Sequence, residues 1–329
     1  MSIKLDLKDR KLLYELDKNA RCSFSDLARR VGVSKQVARY RLNELEKSGA
    51  INTYFAIIDV ARLGYTIRKA FIKLQNTGEK EEAELIEWLK NNPNVVWLAS
   101  SDGQFDIEFG MRSIDIEKYA EQLAELDNLF GHLFLERQIA PIVKGQYFYR
   151  DYLVGKEAGT ERELAFGSVP LHPELDDRDW EILVEVGKNG RAMISNMARK
   201  MGLSSDAVSK RIQRLERIGA IRGYVLVLNN AVLGQLHYKV LVRLHSATEK
   251  RVNSLVEFCK MHPNIFYIVK TFGVWEIEID MEVADVPTFR KIMRELKGKY
   301  SDIIRDYSYI SIYQIHKYNF CPDKPPLKS

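Results

Sequence analysis

Apolar residues at the start of the chain recur with the period of an α-helix. Leu12, Leu13 and Leu16 fall on one helical face, with polar residues between them. The same spacing returns much later in the chain, at Ile182, Leu183 and Val186. Both stretches therefore predict an amphipathic helix that buries one face.

Two further helices are predicted directly after the first one. Ser23 or Ser25 can cap the start of one helix, and Gly32 permits a tight turn at its end. Ser34 can cap the next helix, which Gly49 ends. Two helices joined by a short turn that contains glycine form a helix-turn-helix motif. The ten residues after Gly49 are mostly apolar and predict a short strand pair, so the motif is expected to be winged.

The pattern then changes to short apolar strands that alternate with amphipathic helices. Strands are predicted near residues 69–75, 95–101, 106–112 and 132–143. Helices are predicted near residues 81–91 and 116–126. The resulting order, βαββαβ, is that of a ferredoxin-like module.

The whole pattern repeats with a constant offset of 170 residues. SKQVARYRLNELEKSGAI at 34–51 corresponds to SSDAVSKRIQRLERIGAI at 204–221, and Gly103 corresponds to Gly273. A repeat of this length means two copies of a whole module. The predicted fold is α+β, two copies of a winged helix-turn-helix followed by a ferredoxin-like βαββαβ module. The expected boundaries are 1–62 and 63–150 for the first copy, 151–172 for a linker, 173–232 and 233–320 for the second copy, and 321–329 for a tail.

Composition limits the class of protein. The chain has 329 residues, of which 46% are hydrophobic and 29% charged, as in a globular protein with two or more cores. No apolar stretch approaches transmembrane length, so no membrane partner is expected. Cys22, Cys259 and Cys321 are far apart and lack CxxC spacing. This argues against a disulfide framework or a metal site and fits a reducing cytoplasm.

Basic residues are concentrated in the two helix-turn-helix segments. Residues 21–47 contain seven basic and three acidic residues, and residues 191–217 contain seven basic and two acidic residues. The net charge of the whole chain is only +5. A local concentration of positive charge on a helical surface is typical of a face that contacts phosphates.

The run GVSKQVARYRLNELEKSGAI and its counterpart GLSSDAVSKRIQRLERIGAI each join a helix-turn-helix to an α/β module. This combination resembles the Lrp/AsnC family of transcription regulators, and the resemblance covers nearly the whole chain twice. The resemblance implies double-stranded DNA as a partner. It also implies a RAM-type α/β module that drives assembly and often binds a small effector, commonly an amino acid. Most members carry one copy, so the tandem arrangement departs from the family pattern.

The second helix of each motif can be phased by its apolar residues. Ala38, Leu42 and Leu45 recur at i, i+4 and i+7 and are expected to face the core of the domain. Gln and Asn can pair with adenine, Arg and Lys with guanine, and a serine at the helix start with a phosphate. The candidate DNA-binding residues are Ser34, Lys35, Gln36, Arg39, Tyr40, Arg41, Asn43 and Lys47 in the first copy and Ser204, Ser205, Ser209, Lys210, Arg211, Gln213, Arg214 and Arg217 in the second.

Three charged residues qualify this assignment. Arg41 and Arg211 sit beside the apolar stripe, where a structural ion pair or a phosphate contact is expected rather than base reading. Asp206 lies on the groove-facing side of the second copy, where it repels phosphate but can accept a hydrogen bond from cytosine. The two copies are therefore expected to read different half-sites, or the second copy contributes less.

The effector loop that the family resemblance implies has a Gly-x-aromatic-Asp pattern. The first copy fits it with Gly103, Gln104, Phe105 and Asp106, and the second copy has Gly273, Val274, Trp275 and Glu276. The glycine would let a ligand approach the backbone, and the carboxylate could hold an ammonium group. The alternative is that the glycines only turn a β-hairpin while the acids cap or face solvent.

Some relatives of this architecture are sirohaem decarboxylases, which use His and Arg side chains in the α/β module. The six histidines have no metal-ligand spacing, and only His132 lies in the first module. The Arg-Arg-Phe-Gly type of motif is not found, nor is a phosphate loop or an activated serine. The sequence thus predicts a DNA-binding regulator that is not an enzyme and needs no cofactor, as an intramolecular pseudo-dimer or homo-oligomer. The alternatives are a ligand sensor or assembly protein that has lost DNA binding, or a sirohaem-decarboxylase-like enzyme on the same fold.

Overall fold

The computed structural model describes residues 3–75, 77–155, 163–167 and 173–321. The first head, meaning the helix-turn-helix of the first copy, consists of α1 (Leu7–Lys18), α2 (Phe24–Val31), α3 (Lys35–Lys47) and β1 (Ile51–Ile58). The second head consists of α6 (Asp177–Lys188), α7 (Ile194–Met201), α8 (Ser205–Arg217) and β7 (Ile221–Leu228). The predicted helix-turn-helix is thus present in both copies.

The first α/β module contains β2 (Thr66–Leu74), α4 (Glu79–Asn91), β3 (Val95–Gly103), β4 (Ile107–Ser113), α5 (Ile116–Phe130) and β5 (Phe134–Phe148). The second contains β8 (Leu236–Leu244), α10 (Glu249–Met261), β9 (Ile265–Thr271), β10 (Ile277–Val283), α11 (Val286–Tyr300) and β11 (Ile304–Tyr318), after a short α9 (Asn230–Leu233). Both modules have the βαββαβ order, so the predicted fold class is confirmed.

The strand that follows each head differs from the prediction. A strand pair was expected after Gly49, but residues 51–58 form one continuous strand, β1. Its partner is β7 of the second copy, and the two strands run antiparallel. Six of the eight residues of β1 are buried, on both faces of the strand. A strand buried on both faces requires packing partners that a local hairpin could not supply.

The two α/β modules form one closed barrel. β5 and β11 are each 15 residues long. β5 first pairs with β2 and then, from Ile142, with β9 of the other copy. β11 first pairs with β8 and then, from Ile310, overlaps onto β3. Eight antiparallel strands therefore close in the order β2-β4-β3-β11-β8-β10-β9-β5. Closure pairs strand edges that would otherwise be exposed, so the two modules pair within one chain.

Side chains of the strands alternate between the barrel interior and the surrounding helices. Phe71 is buried inside with Phe105 and Trp275. The adjacent Ile72 packs on the opposite side, in the cluster that contains Leu85 and Leu89 of α4. This alternation follows from the period of two in a β-strand.

The described part of the predicted linker, residues 151–172, contains a short 3-10 helix (Asp151–Leu153) and a strand, neither of which the sequence predicted. β6 (Glu163–Phe166) pairs with the second half of β5, and its Ala165 carbonyl accepts a 2.7 Å hydrogen bond from Arg222 Nε. Residues 156–162 and 168–172 of the linker lie outside the described residues, as do residues 322–329 of the tail. The domain boundaries stay a prediction.

Candidate nucleic-acid interface

α3 and α8, called the recognition helices below, are positioned by caps and by an apolar stripe. Ser34 Oγ accepts a hydrogen bond from the Val37 amide at 3.2 Å, and Gly32 has a φ of 73° at the preceding turn. Ala38, Leu42 and Leu45 are at most 5% exposed, which confirms the predicted phase of α3. The stripe on α8 is buried likewise, at Val208, Ile212 and Leu215.

The outward face of α3 carries polar and aromatic side chains. The exposed candidates are Ser34, Lys35, Gln36, Arg39, Tyr40, Asn43 and Lys47. Tyr40 is 67% exposed, and the Arg39 guanidinium lies 5.0 Å from the centre of the Phe24 ring. Lys47 Nζ is 3.0 Å from Glu44 Oε1. The amides of Gln36 and Asn43 are thus presented outward beside cationic side chains.

The outward face of α8 has different chemistry. The exposed candidates are Ser204, Ser205, Lys210, Gln213 and Arg217, whereas Ser209 is half-buried. Asp206 Oδ2 lies 2.9 Å from Lys210 Nζ, and both side chains are 74% exposed. The hydrogen bond to Asp206 raises the pKa of Lys210. Asp206 therefore partly neutralises the charge of Lys210. This ion pair has no counterpart on α3, where the equivalent residues are Gln36 and Tyr40.

Three of the candidate arginines bind their own head. Arg41 Nη1 lies 2.7 Å from both Asp6 Oδ2 and Asp9 Oδ1, at the start of α1. These two carboxylates raise the pKa of Arg41. The expected structural ion pair of Arg41 is confirmed.

The second copy repeats this arrangement and extends it. Arg211 Nη1 lies 2.8 Å from Asp176 and from the buried Asp179. Arg214 Nη1 lies 2.5 Å from Asp179 Oδ2, and its Nη2 donates to the Glu174 carbonyl at 2.7 Å. Arg214 was predicted to contact DNA, but here it is tied to residues at the start of α6. Its counterpart in the first copy is Glu44, so this second arginine is particular to α8.

The two heads are joined by reciprocal hydrogen bonds that the sequence reasoning missed. The Ala20 amide donates to the Tyr224 carbonyl at 2.8 Å, and the equivalent Gly190 amide donates to the Tyr54 carbonyl at 2.9 Å. Arg21 Nη1 donates to the Gly190 carbonyl at 3.0 Å, and Arg191 Nη1 donates to the Ala20 carbonyl. The repeated NAR and NGR triplets at 19 and 189 are the only sequence signal for this contact.

Val37 is a further surface residue that the sequence reasoning passed over. It lies at the start of α3 and is 40% exposed, next to Gln36. An apolar side chain in this position can contact the methyl group of thymine. Its equivalent on α8 is the smaller Ala207, which is half-buried. The two recognition helices thus differ in apolar as well as polar groups.

The predicted effector loops are β-hairpin turns. Gly103 and Gly273 have φ values of 121° and 108°, which favour glycine. Asp106 Oδ2 accepts a hydrogen bond from the Leu74 amide at 2.7 Å, and its Oδ1 lies 2.6 Å from Lys73 Nζ. Glu276 Oε2 accepts from the Leu244 amide at 2.7 Å. Both carboxylates therefore hold the adjacent strand, as the structural alternative expected, and an effector role stays a prediction.

The aromatic residues of these loops are not at the surface. Phe105 is fully buried and Trp275 is 3% exposed, inside the barrel. Their rings pack around Phe71, whose ring centre lies 4.8 Å from that of Trp275. Phe105 and Trp275 were expected to contact an effector, but their side chains fill the barrel core. Alternation along the strands turns them inward, whereas Gln104 is exposed and Val274 is half-buried.

An open groove of about 380 Å³ lies beside the second effector loop. Glu276, Lys270 and His245 supply its ionisable side chains, and Val143 of β5 forms part of its wall. Burial, with a contribution from Lys144, lowers the pKa of Lys270. The groove offers both an acid and bases to a small polar ligand.

Two further features bear on function. Among the described residues, none of the helices combines the length and the apolar character that a membrane span requires. Across the same part of the chain, His, Cys, Asp and Glu side chains do not gather in groups of three or more that could hold a metal ion.

Comparison with protein families identifies both heads. The family described as winged helix-turn-helix DNA-binding matches residues 5–52. The AsnC-type helix-turn-helix domain matches residues 175–216. The two matches fall on the two heads defined above.

Curated proteins similar to this chain are transcription regulators of about half its length. The proline dehydrogenase transcriptional activator of Rhodobacter capsulatus is 31% identical over 146 residues, which cover 44% of this chain and 95% of the relative. An uncharacterised HTH-type transcriptional regulator of Pyrococcus furiosus is 28% identical over 129 residues, which cover 39% of this chain and 83% of the relative.

A solved structure shares the fold of the whole chain. The siroheme decarboxylase NirDL superposes with a TM-score of 0.60 at 12% sequence identity, covering 96% of this chain and 94% of that chain. This similarity shows a common fold. It corrects the prediction that the chain is not an enzyme: the same overall architecture forms a decarboxylase, so the missing sequence motifs do not exclude catalysis.

Proposed function

The chain belongs to the Lrp/AsnC family of transcription regulators, and we propose that it reads an asymmetric double-stranded DNA site with two non-identical heads. Each head presents one recognition helix, and helix-turn-helix pairs place such helices in successive major grooves about 34–36 Å apart. One chain supplies both helices, so a second chain is not required for a two-part site. Covalent linkage also raises the effective concentration of the second head.

The observation that carries this proposal is the difference between the two outward faces within one pair of heads. α3 exposes Gln36, Tyr40 and Asn43, whereas the equivalent residues of α8 are Asp206, Lys210 and Gln213. Two identical heads related by a twofold axis favour a palindrome. Unequal faces on either side of a pseudo-twofold axis favour two unequal half-sites.

The side chains divide into base-reading and phosphate-contacting groups. We assign base reading to Gln36, Arg39 and Asn43 on α3, because their exposed amide and guanidinium groups match adenine and guanine edges. On α8 we assign base reading to Lys210, Gln213 and Arg217.

Phosphate contacts are assigned to Lys35, Lys47 and the serines at the helix starts. The Ser34 hydroxyl accepts from the Val37 amide and still has its own proton to donate.

Arg41, Arg211 and Arg214 are assigned a supporting role. Their guanidinium groups bind carboxylates of the first helix of their own head. They orient the recognition helix, and their remaining donors are available to a phosphate but not directed at a base.

Modulation by a small ligand, such as an amino acid, is the second part of the proposal. The groove beside Glu276 supports it, because a carboxylate and the nearby Lys270 ammonium group suit a zwitterion. Gly103, Gln104 and Asp106 form the corresponding turn of the first copy. A cytoplasmic location belongs to the same proposal and is supported by the three cysteines, which are free and buried.

Selection of bound sequences from a random duplex pool tests this function. We expect enrichment of a two-part motif with unequal halves, and affinity that falls steeply with salt because phosphate contacts release counterions. A palindromic motif would mean that one type of head does the reading in a conventional dimer. No enrichment at low salt, with and without an amino-acid mixture, would favour a sensor that has lost DNA binding.

A further inference from the structure

A buried ion pair joins the two copies below the heads. Arg150, which follows β5 of the first copy, donates from Nε to Glu282 Oε2 at 2.6 Å and from Nη2 to Glu282 Oε1 at 3.1 Å. Glu282 lies in β10 of the second copy, and both side chains are at most 5% exposed. The two parallel hydrogen bonds form the fork geometry in which an arginine binds a carboxylate most strongly.

Further groups complete the site from both sides. The Tyr152 hydroxyl, at the start of the predicted linker, donates to Glu282 Oε2 at 2.7 Å. Asp17 in α1 holds the far side of Arg150, accepting from Nη1 and from the Arg150 amide at 2.7 Å each. Burial alone would raise the pKa of Glu282, but the charge and hydrogen bonds of Arg150 lower it below its ordinary value. Glu282 is therefore a charged carboxylate whose main partners come from the other copy.

The 170-residue repeat shows which side chains would meet if two identical copies formed a barrel. The residue equivalent to Glu282 is Arg112, and the residue equivalent to Arg150 is Phe320. Tyr152 corresponds to Pro322, and Asp17 corresponds to Gly187. None of the members of this site is thus repeated in the other copy.

A barrel built from two first copies would bring Arg150 against Arg112, so two like charges would be buried at each site. A barrel built from two second copies would place Phe320 beside Glu282, which would lose the donors of Arg150 and Tyr152. In the first arrangement Asp17 offsets only one of the two arginines, and in the second Glu282 keeps only the neutral Asn230 amide as a donor. Either arrangement therefore leaves buried charge without full compensation, which is strongly unfavourable. Discrimination of this kind rests on penalties in the wrong pair as well as attraction in the right one.

A second buried ion pair across the copies shows the contrast. Lys69 Nζ lies 2.5 Å from Glu278 Oε2. The residue types of this pair are repeated, since Lys69 corresponds to Lys239 and Glu108 to Glu278. The second contact is longer, with Lys239 Nζ 3.7 Å from Glu108 Oε2. Two first copies would still place a lysine near a glutamate, and so would two second copies. This pair gives no preference between like and unlike partners.

We propose that the Arg150–Glu282 contact makes the two α/β modules selective for each other, so that a first-copy module accepts only a second-copy module as its barrel partner. The partner surface is defined by a buried carboxylate at the position of Glu282. Selectivity keeps the unlike heads together in every barrel, whether the modules belong to one chain or to two. Selective pairing of the modules determines assembly and does not depend on DNA binding.

The test uses the full chain with a protease site inserted between Ala158 and Gly159. After cleavage, the two halves are unfolded in urea, refolded together and weighed by native mass spectrometry. We expect first–second complexes almost exclusively, whereas unselective pairing gives about half mixed and about a quarter of each like pair. A statistical mixture from the wild-type sequence would overturn the proposal.

Two variants assign the selectivity to this contact. Arg150→Met with Glu282→Met should raise the share of like complexes toward the statistical value. The control, Lys69→Met with Glu278→Met, also removes a buried pair across the copies, but it leaves Glu108 without a lysine in first–first complexes and Lys239 without a glutamate in second–second complexes. The share of like complexes should therefore stay at the wild-type level. If the first variant does not refold, Arg112→Glu serves instead: it gives Arg150 an acidic partner in first–first complexes and should increase these alone. Equal effects of the control and the Arg150 variant would contradict the assignment.

Discussion

Phe55 lies opposite Val225 in the antiparallel pair of β1 and β7, and Val225 is the residue of the second copy that corresponds to Phe55. The pseudo-twofold axis that relates the copies therefore passes through this residue pair. The two heads flank the strand pair, so their recognition helices are related by the same axis. A single-copy regulator obtains such an axis by dimerising, with identical residues on both sides. Here the axis relates unlike residues.

Loss of a phosphate contact should weaken binding to all sequences alike. Lys35 is exposed at the start of α3. Lys35→Ala should reduce the slope of log affinity against log salt by about 1, without changing base preference. Fluorescence anisotropy at several salt concentrations measures this. Lys80→Ala is the control, since Lys80 is 89% exposed on α4 of the α/β module. The slope of log affinity against log salt for this variant should equal that of the wild type. An unchanged slope for Lys35→Ala would contradict the assignment.

Arg41 should matter for stability and not for base preference. Arg41→Met removes the ion pairs to Asp6 and Asp9, which are partly exposed. We expect the free energy of unfolding to fall by about 1 kcal/mol, as for other partly exposed pairs. Urea unfolding measures the loss, and sequence selection measures the base preference. A changed motif together with unchanged stability would reverse the role that we give to Arg41.

The contacts between the heads should affect only two-part sites. Arg21→Ala with Arg191→Ala removes both reciprocal hydrogen bonds to backbone carbonyls and loosens the orientation of the heads. Affinity for a complete site should fall by about tenfold, because each lost hydrogen bond is worth about 0.5–1.5 kcal/mol. Affinity for an isolated half-site should not change and is the internal control. An equal loss on both duplexes would mean that these arginines contact DNA.

Buried Glu108 should make stability depend on pH. Burial raises its pKa from 4.5 to about 8, although the charges of Lys239 and Lys69 oppose this. The folded protein then keeps a proton that the unfolded chain releases, so the free energy of unfolding falls as pH rises from about 4.5 to about 8. Glu108→Gln should remove this part of the dependence. Urea unfolding at pH about 5, 6.5 and 8 compares the two proteins, and parallel pH profiles would contradict a raised pKa.

The helical heads were predictable because the signals are local. Ser34 and Gly32 act on residues within one turn, and the apolar stripe of α3 needs only the period of the helix. The pairing of β1 with β7 was not predictable, since the partner of a strand is set by tertiary contacts. The same holds for the second half of β5, which continues onto β9.

The candidate effector residues show a related limit. The GQFD and GVWE motifs correctly marked a turn at Gly103 and Gly273, but not the direction of the aromatic side chains. Closure of the barrel buries Phe105 and Trp275, and it also buries Lys69 and Lys239, which the sequence alone would place at the surface of a strand. Lys69 meets Glu278 of the other copy at 2.5 Å, whereas Lys239 is held at 2.8 Å by Asp280 of its own copy and lies 3.7 Å from Glu108 of the other.

The central claim, that the two heads read different halves of one site, is tested most directly by sequence selection with Gln36→Ala and Gln213→Ala in parallel. We expect Gln36→Ala to relax preference at one position in one half of the motif, and Gln213→Ala to relax one position in the other half. Each position should lose about 1–3 kcal/mol of discrimination. Relaxation of both halves by a single variant would contradict the account, because it would mean that one type of head occupies both half-sites.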